Sequence, residues 1–298
     1  MNTLLTVQGL NKTLPRFALR DLSFTLPEGC ITGFIGANGA GKTTTLRTML
    51  DLIHKDSGSV HIFGLDMDHD ATAIKDRIGI VLDNGGFYDE LSLNEMKRII
   101  APAYSHWSDE DFHHWLNHFN LDARQQIATL SRGMRMKFAL TLALSHGAEL
   151  LLMDEPTSGL DPKIRHQLLH ILTTFMENGG KGVFFSTHIT SDLDKIADYL
   201  VMIDEGHIVF QEDKDSLLDS HRILKGDRTT LNAENRALFL TLEETAYGFT
   251  GLTRAPETLT AFPDALIERP TIEDIMLAYM KGDNRHAASS HAQRSAHY

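Results

Sequence analysis

The stretch Gly36-Ala37-Asn38-Gly39-Ala40-Gly41-Lys42-Thr43, which follows the apolar run 30–35, decides the reading of this chain. Its glycines let consecutive backbone N–H groups turn inward, and the helix expected behind it presents a positive N-terminus, so the turn is built to hold phosphate. Lys42 is placed to bridge the β- and γ-phosphates, and Thr43 to offer its hydroxyl to Mg²⁺, with Thr44 beside it in the nucleotide-contacting set. The helix is read from Leu46, Met49, Leu50 and Ile53, which recur at helical spacing over 42–52, with Asp56-Ser57-Gly58 as its stop.

Working outward, the short apolar runs 149–153 and 182–186 read as central parallel strands. Alternation over 4–7 and 22–26 reads as strands of an N-terminal antiparallel β subdomain. Residues 92–146 carry little strand character and two helix-like stretches, 109–120 and 134–145, which predicts an inserted helical subdomain over about 88–147. The fold class expected is α/β, with a parallel core sheet and a small C-terminal α+β extension. The domains expected are 1–215, 216–280 and a mobile tail, 281–298, rich in Ala, Ser and His. Thr271, with Asp274 three positions on, predicts the start of a helix over 272–280.

The composition narrows the function. The chain has 298 residues, 42% of them hydrophobic, and a net charge of −12. That is a globular acidic protein whose average surface repels nucleic acid. The single cysteine, Cys30, makes no internal disulfide, which fits a reducing cytosol. Residues 1–10 lack a basic segment followed by an apolar stretch, so no secretory signal is expected. The most apolar window, 138–153, contains His146 and Glu149 and is shorter than the ~20 residues a spanning helix needs. If a membrane is involved, another chain crosses it.

A second half of the site lies at Leu150-Leu151-Leu152-Met153-Asp154-Glu155, where a buried strand ends in two carboxylates. Alternation is expected to send Asp154 toward Mg²⁺ and Glu155 toward the attacking water as general base. His113, His114 and His118 share a helical segment with no carboxylate or cysteine pattern, and are read as a solvated face.

Leu130-Ser131-Arg132-Gly133-Met134, followed by a helix and then the Asp154-Glu155 strand, resembles the ATP-binding subunit of an ABC transporter, a P-loop NTPase of ABC type. The resemblance continues through Ser158-Gly159-Leu160-Asp161, like the family's D-loop, and His188 after Phe184-Phe185-Ser186-Thr187, like its switch histidine; it covers roughly 1–215. It implies an ATPase whose subunits, two copies or a copy and a sibling, pair head to tail. Ser131 and Gly133 of one subunit would then contact the γ-phosphate held by the other. It also implies that His188 contacts that phosphate and steers Glu155 and water. The partner implied is a membrane-spanning permease, which would hold the chain on the inner face of the cell membrane.

The sequence departs from the family pattern in places. Asp83 stands where the family has a glutamine, which would add a charge next to Mg²⁺. With Asn84-Gly85-Gly86-Phe87-Tyr88 it resembles the bacitracin- and lantibiotic-type exporter branch. Arg132 and Met134 alter the signature, leaving Ser131 and Gly133 as contacts. Thr13 and Leu14 stand where an adenine-stacking aromatic is expected, which leaves Phe17 as the candidate. Phe87, Tyr88 and residues 95–100 are expected to form the groove that takes the permease. The rivals are a soluble assembly ATPase of the iron–sulfur type and a slow-hydrolysing regulatory subunit. The short interval from Lys42 to Ser131 leaves no room for the long coiled-coil arms of chromosome-organising ATPases.

Overall fold

The computed structural model describes residues 2–82, 86–177 and 179–282, with residues 281 and 282 described by backbone alone. The chain forms two compact units, Met1–Gln211 and Glu212–Tyr298.

The first unit opens with β1 (Thr3–Leu14) and β2 (Phe17–Pro27), an antiparallel pair longer than the alternation alone suggests. β4 (Ser57–Ile62) and β5 (Leu65–Asp66) complete an antiparallel sheet of order β2-β1-β4-β5. Asp56-Ser57-Gly58 is therefore the entry to β4 and not a helix stop. Gly58, at φ +93, lies so close to Gly9 that a Cβ there would sit 2.3 Å from the Gly9 carbonyl oxygen, which only glycine avoids. The helix expected to reach residue 52, α1 (Lys42–Met49), ends earlier because Asp51 turns left-handed at φ +54.

The central sheet carries the site. β3 (Ile31–Ile35) is buried at every position and pairs in parallel with β8 (Gly182–Thr187) on one side and β9 (Tyr199–Asp204) on the other. β8 pairs with β7 (Leu150–Asp154), and β7 with β6 (Ile78–Val81), both in parallel. β10 (His207–Asp213) turns back from β9 through Glu205 and Gly206, both at positive φ, to give the order β10-β9-β3-β8-β7-β6. Continuous burial on both faces explains why these strands read as apolar runs. Phe24 of β2 stacks on Phe34 of β3 and Phe184 of β8, with ring centroids 5.7 and 5.9 Å apart, and so fastens the antiparallel sheet to the central one. Each such ring removed from water stabilises the fold by about 1.5–3 kcal/mol.

α2 (Met67–Arg77) leads into β6. The helical subdomain consists of α3 (Leu93–Ile100), α4 (Asp109–Phe119) and α5 (Arg132–Leu144). Ser92 and Glu95 form a reciprocal cap on α3, Ser108 caps α4, and Asn120 ends α4 in the left-handed region. α5 buries Phe138 and Leu142 and lies against β6 and α4. α6 (Pro162–Met176) and α7 (Thr190–Ile196) connect the remaining parallel strands.

The second unit holds α8 (Lys214–Ser220), β11 (Arg222–Gly226), α9 (Ala233–Arg236), β12 (Phe239–Thr245), β13 (Gly248–Thr253), α10 (Glu257–Ala261), β14 (Leu266–Glu268) and α11 (Ile272–Gly282). Its antiparallel sheet, β12-β13-β11-β14, packs Leu224, Phe239, Phe249 and Phe262 into a core of its own. Thr271 and Asp274 cap α11 reciprocally through hydrogen bonds of 2.9 and 3.2 Å between backbone N–H and side-chain oxygen. The tail residues 283–298 lie outside the described residues.

Candidate active site

Three strand ends meet because the register of the central sheet brings them side by side. Ile35 of β3 is level with Thr187 of β8, and Asp154 of β7 with Ser186 of β8. The loop after β3, the carboxylates after β7 and His188 after β8 therefore share one edge, where ligands of open α/β sheets bind.

The loop leads into a helix start left open for a ligand. Gly36 has no room for a side chain, since a Cβ would lie 2.3 Å from the Ile203 carbonyl oxygen. Gly41 is the N-cap of α1 at φ +119 and offers no side-chain acceptor. The first-turn N–H groups thus keep their donors and their share of the helix dipole for an anion. A Cβ on Gly41 would strike the Phe17 ring at 2.7 Å, so Phe17 packs directly on the loop. Ala40 is buried behind it, and Thr45 Oγ1 donates to the Gly41 carbonyl at 2.9 Å.

The chemistry gathers around Lys42 and Glu155. Lys42, 5% exposed, donates from Nζ to the carbonyls of Gly36 and Ala37 at 2.8 and 3.1 Å and pairs with Glu155 Oε1 at 3.2 Å. The other oxygen, Oε2, accepts from His188 Nδ1 at 2.8 Å. One carboxylate thus joins the phosphate-loop lysine to the histidine. Strand alternation does not aim it, contrary to expectation. Glu155 lies past the end of β7 at φ +48, and its N–H donates to the Ser186 carbonyl at 3.0 Å. A left-handed turn pinned to β8 sets its direction. Asp154 is 3% exposed and accepts from Ser186 Oγ at 2.7 Å through Oδ1.

Lys42, Glu155 and His188 face a cavity of about 620 Å³ whose lining also includes Leu14, Arg16, Phe17, Asn38, Gly39, Gly41, Thr43, Thr44 and Ser158, while Asp154 and Ser186 are buried and not among the lining residues. Arg16 had no part in the sequence reading, Ser158 entered it only as the first residue of the D-loop-like segment, and Ser186 was quoted only as a neighbour of His188. Ser186 reaches both carboxylate-bearing residues. Its only signal is a small hydroxyl where the apolar run of β8 ends, next to that of Thr187.

Ser131 and Gly133 are not among the lining residues. Ser131 is exposed and caps α5 by accepting from Met134 N–H at 3.3 Å. Gly133 is buried, and a Cβ on it would meet Ile164 Cδ1 at 2.8 Å. Phe87 packs on Phe138, with centroids 5.0 Å apart, while Tyr88 and Ile99 are exposed. Asp83, with Asn84 and Gly85, lies outside the described residues. His113, His114 and His118 form ring contacts along α4, and among the described residues no group of three or more His, Cys, Asp or Glu is placed to hold a metal ion.

The ABC transporter family profile matches residues 19–158. A bacitracin transport ATP-binding protein of Enterococcus faecalis is 31% identical over 63% of this chain, which spans 62% of that protein. Its counterpart in Bacillus licheniformis is 30% identical over 80% of this chain and 79% of its own length. A solved ATP-binding subunit of an ABC transporter superposes with a TM-score of 0.66 at 27% identity, over 72% of this chain and 92% of that one. The chain belongs to the ABC transporter ATPases. It is an ATP-binding, ATP-hydrolysing subunit of that class. Among the described residues no helix is long and apolar enough to cross a membrane.

Proposed function

We propose that this chain closes head to tail on ATP with a second copy or a sibling subunit and thereby drives a separate membrane-spanning permease in export. The observation that carries the catalytic part is the Glu155 carboxylate held between Lys42 Nζ and His188 Nδ1. In that reading the triphosphate takes Lys42 from Glu155, and the freed carboxylate accepts the proton of the attacking water while His188 keeps it oriented. Gly36, Ala37, Asn38, Gly39, Ala40, Gly41, Thr43 and Thr44 cradle the phosphates, and Phe17 rests against the adenine. The Thr43 hydroxyl and the Asp154 carboxylate are hard oxygen donors suited to Mg²⁺, with Asp83 assigned to the same ion from sequence alone. When bound, that ion offsets phosphate charge.

Pairing is supported by the position of Ser131 at an exposed helix start, where a second subunit's phosphate would meet a hydroxyl and a helix N-terminus. Transport is supported by the relatives' names as bacitracin transport ATP-binding proteins, and a permease contact by exposed Tyr88 and by Ile99, exposed on the capped helix α3. The chain is then peripheral on the inner face of the cell membrane through its permease.

Glu155→Gln tests the reading. Phosphate release is expected to fall by about 10²–10⁴-fold, while saturating ATP and Mg²⁺ convert the variant to a dimer in light scattering. Unchanged turnover removes the catalytic role. A variant that stays single with its candidate companions present removes the pairing.

A further inference from the structure

Outside the cavity, α6 and α7 are joined by an ion pair, buried on the Asp192 side and half-buried at Arg165, that the site description does not use. Arg165 Nε donates to Asp192 Oδ1 at 2.6 Å, and Asp192 is fully buried. The second oxygen, Oδ2, and the Arg165 Nη2 nitrogen are buried with no hydrogen-bond partner. Such a half-satisfied pair is a poor source of stability, because desolvation offsets most of its attraction, and apolar residues would serve packing as well.

Its position gives it another use. Arg165 is one turn into α6, whose N-cap Asp161 ends the segment Ser158-Gly159-Leu160-Asp161. Asp192 is in the first turn of α7, four residues after His188. The N-cap of α7 is Ile189, which has no side-chain acceptor, so the start of this helix lacks a cap of its own. Besides the packing of buried Leu193 on Gly33 of β3, its polar ties are the pair to α6, the bond from Ile189 N–H to Thr187 Oγ1 at 2.9 Å and the bond from Asp192 N–H to the Ile189 carbonyl at 3.3 Å. Ser158 lines the cavity and His188 faces Glu155, so the pair ties together two loops that both end at the cavity.

We propose that Arg165 and Asp192 are positioning residues. Their ion pair fixes the start of α7 against α6 and thereby holds His188 at hydrogen-bond distance from Glu155. The inference rests on the reading of His188 and Glu155 given above.

The test compares the full chain with Arg165→Lys and with the double variant Arg165→Gln/Asp192→Asn, which leaves no orphaned buried charge and so keeps its fold. Both are expected to bind ADP with unchanged affinity and unchanged KM for ATP, with kcat lowered about tenfold. Placed on a His188→Ala background, neither lowers kcat further, because the histidine they position is gone; a purely structural role would multiply the losses. If His188→Ala is slow but the pair variants keep full kcat, or if the losses multiply, the positioning role is overturned while the function reading stands. If His188→Ala itself keeps full turnover, both fall.

Discussion

Two regions of the first unit that the proposed function assigns to one triphosphate are built in opposite ways. At the loop 36–44, everything needed to grip phosphate converges inside one chain: open donors at α1, Lys42 Nζ, and a carboxylate and a histidine within 3.2 Å of one another in series. At the start of α5, Ser131 is exposed, outside the cavity, and its hydroxyl does no more than cap its own helix. The first region gathers its donors within one chain, and in the proposed pairing the second meets a surface that another subunit supplies. Binding and turnover should therefore separate under mutation.

The sharpest break between them is Ser131→Asp. Aspartate is as good an N-cap as serine, so α5 keeps its cap, but a carboxylate now faces the incoming phosphate. ADP affinity of the isolated chain is expected to stay the same, while ATP turnover falls about 10²–10³-fold, the usual cost of losing one donor to a reacting oxyanion. Lys42→Ala, by contrast, should weaken ADP binding itself by about 10- to 100-fold. Calorimetry and phosphate release read both, and a loss of ADP affinity in Ser131→Asp would erase the distinction.

Acid should weaken the helical side. His146 follows the C-terminus of α5, is 2% exposed, stacks on Tyr104 at 3.8 Å, and has no hydrogen-bond partner on either ring nitrogen. Burial pushes its pKa down from 6.5 to about 4, against a smaller opposing pull from Asp76. The unfolded chain takes up the proton first, so this contribution is neutral above pH 6.5 and destabilises progressively as pH falls toward 4. The loss approaches about 3 kcal/mol. His146→Phe keeps the ring stack and should flatten the fall of Tm between pH 6.5 and 4; an equally steep fall in that variant refutes the assignment. The smallest effect is expected from Phe17→Ala, with ADP affinity lowered about three- to tenfold if the ring stacks on adenine. Unchanged affinity would assign Phe17 to packing on Gly41 alone.

Much of the site was legible because its chemistry is local. The phosphate loop needs glycines, a lysine and a hydroxyl in one consecutive string, and a buried strand between two helices reads as an apolar run. Ser186, Arg165 and Asp192 left no comparable signal, since their roles depend on neighbours distant in sequence. Glu155 was singled out from its place at the end of β7, but alternation does not set its direction, because it stops where a left-handed turn begins. The helix after the loop was read as too long because a single αL residue, Asp51, carries no strong mark in the text.

By itself the sequence determined the class of chemistry, a triphosphate held on backbone donors, because that requirement is met within eight consecutive residues. The tertiary structure alone decided that one carboxylate stands between Lys42 and His188, and that Ser131 stands apart from them. Those relations are set by the parallel register of β3, β7 and β8 and by the packing of α5 and α6, which bring together residues far apart along the chain.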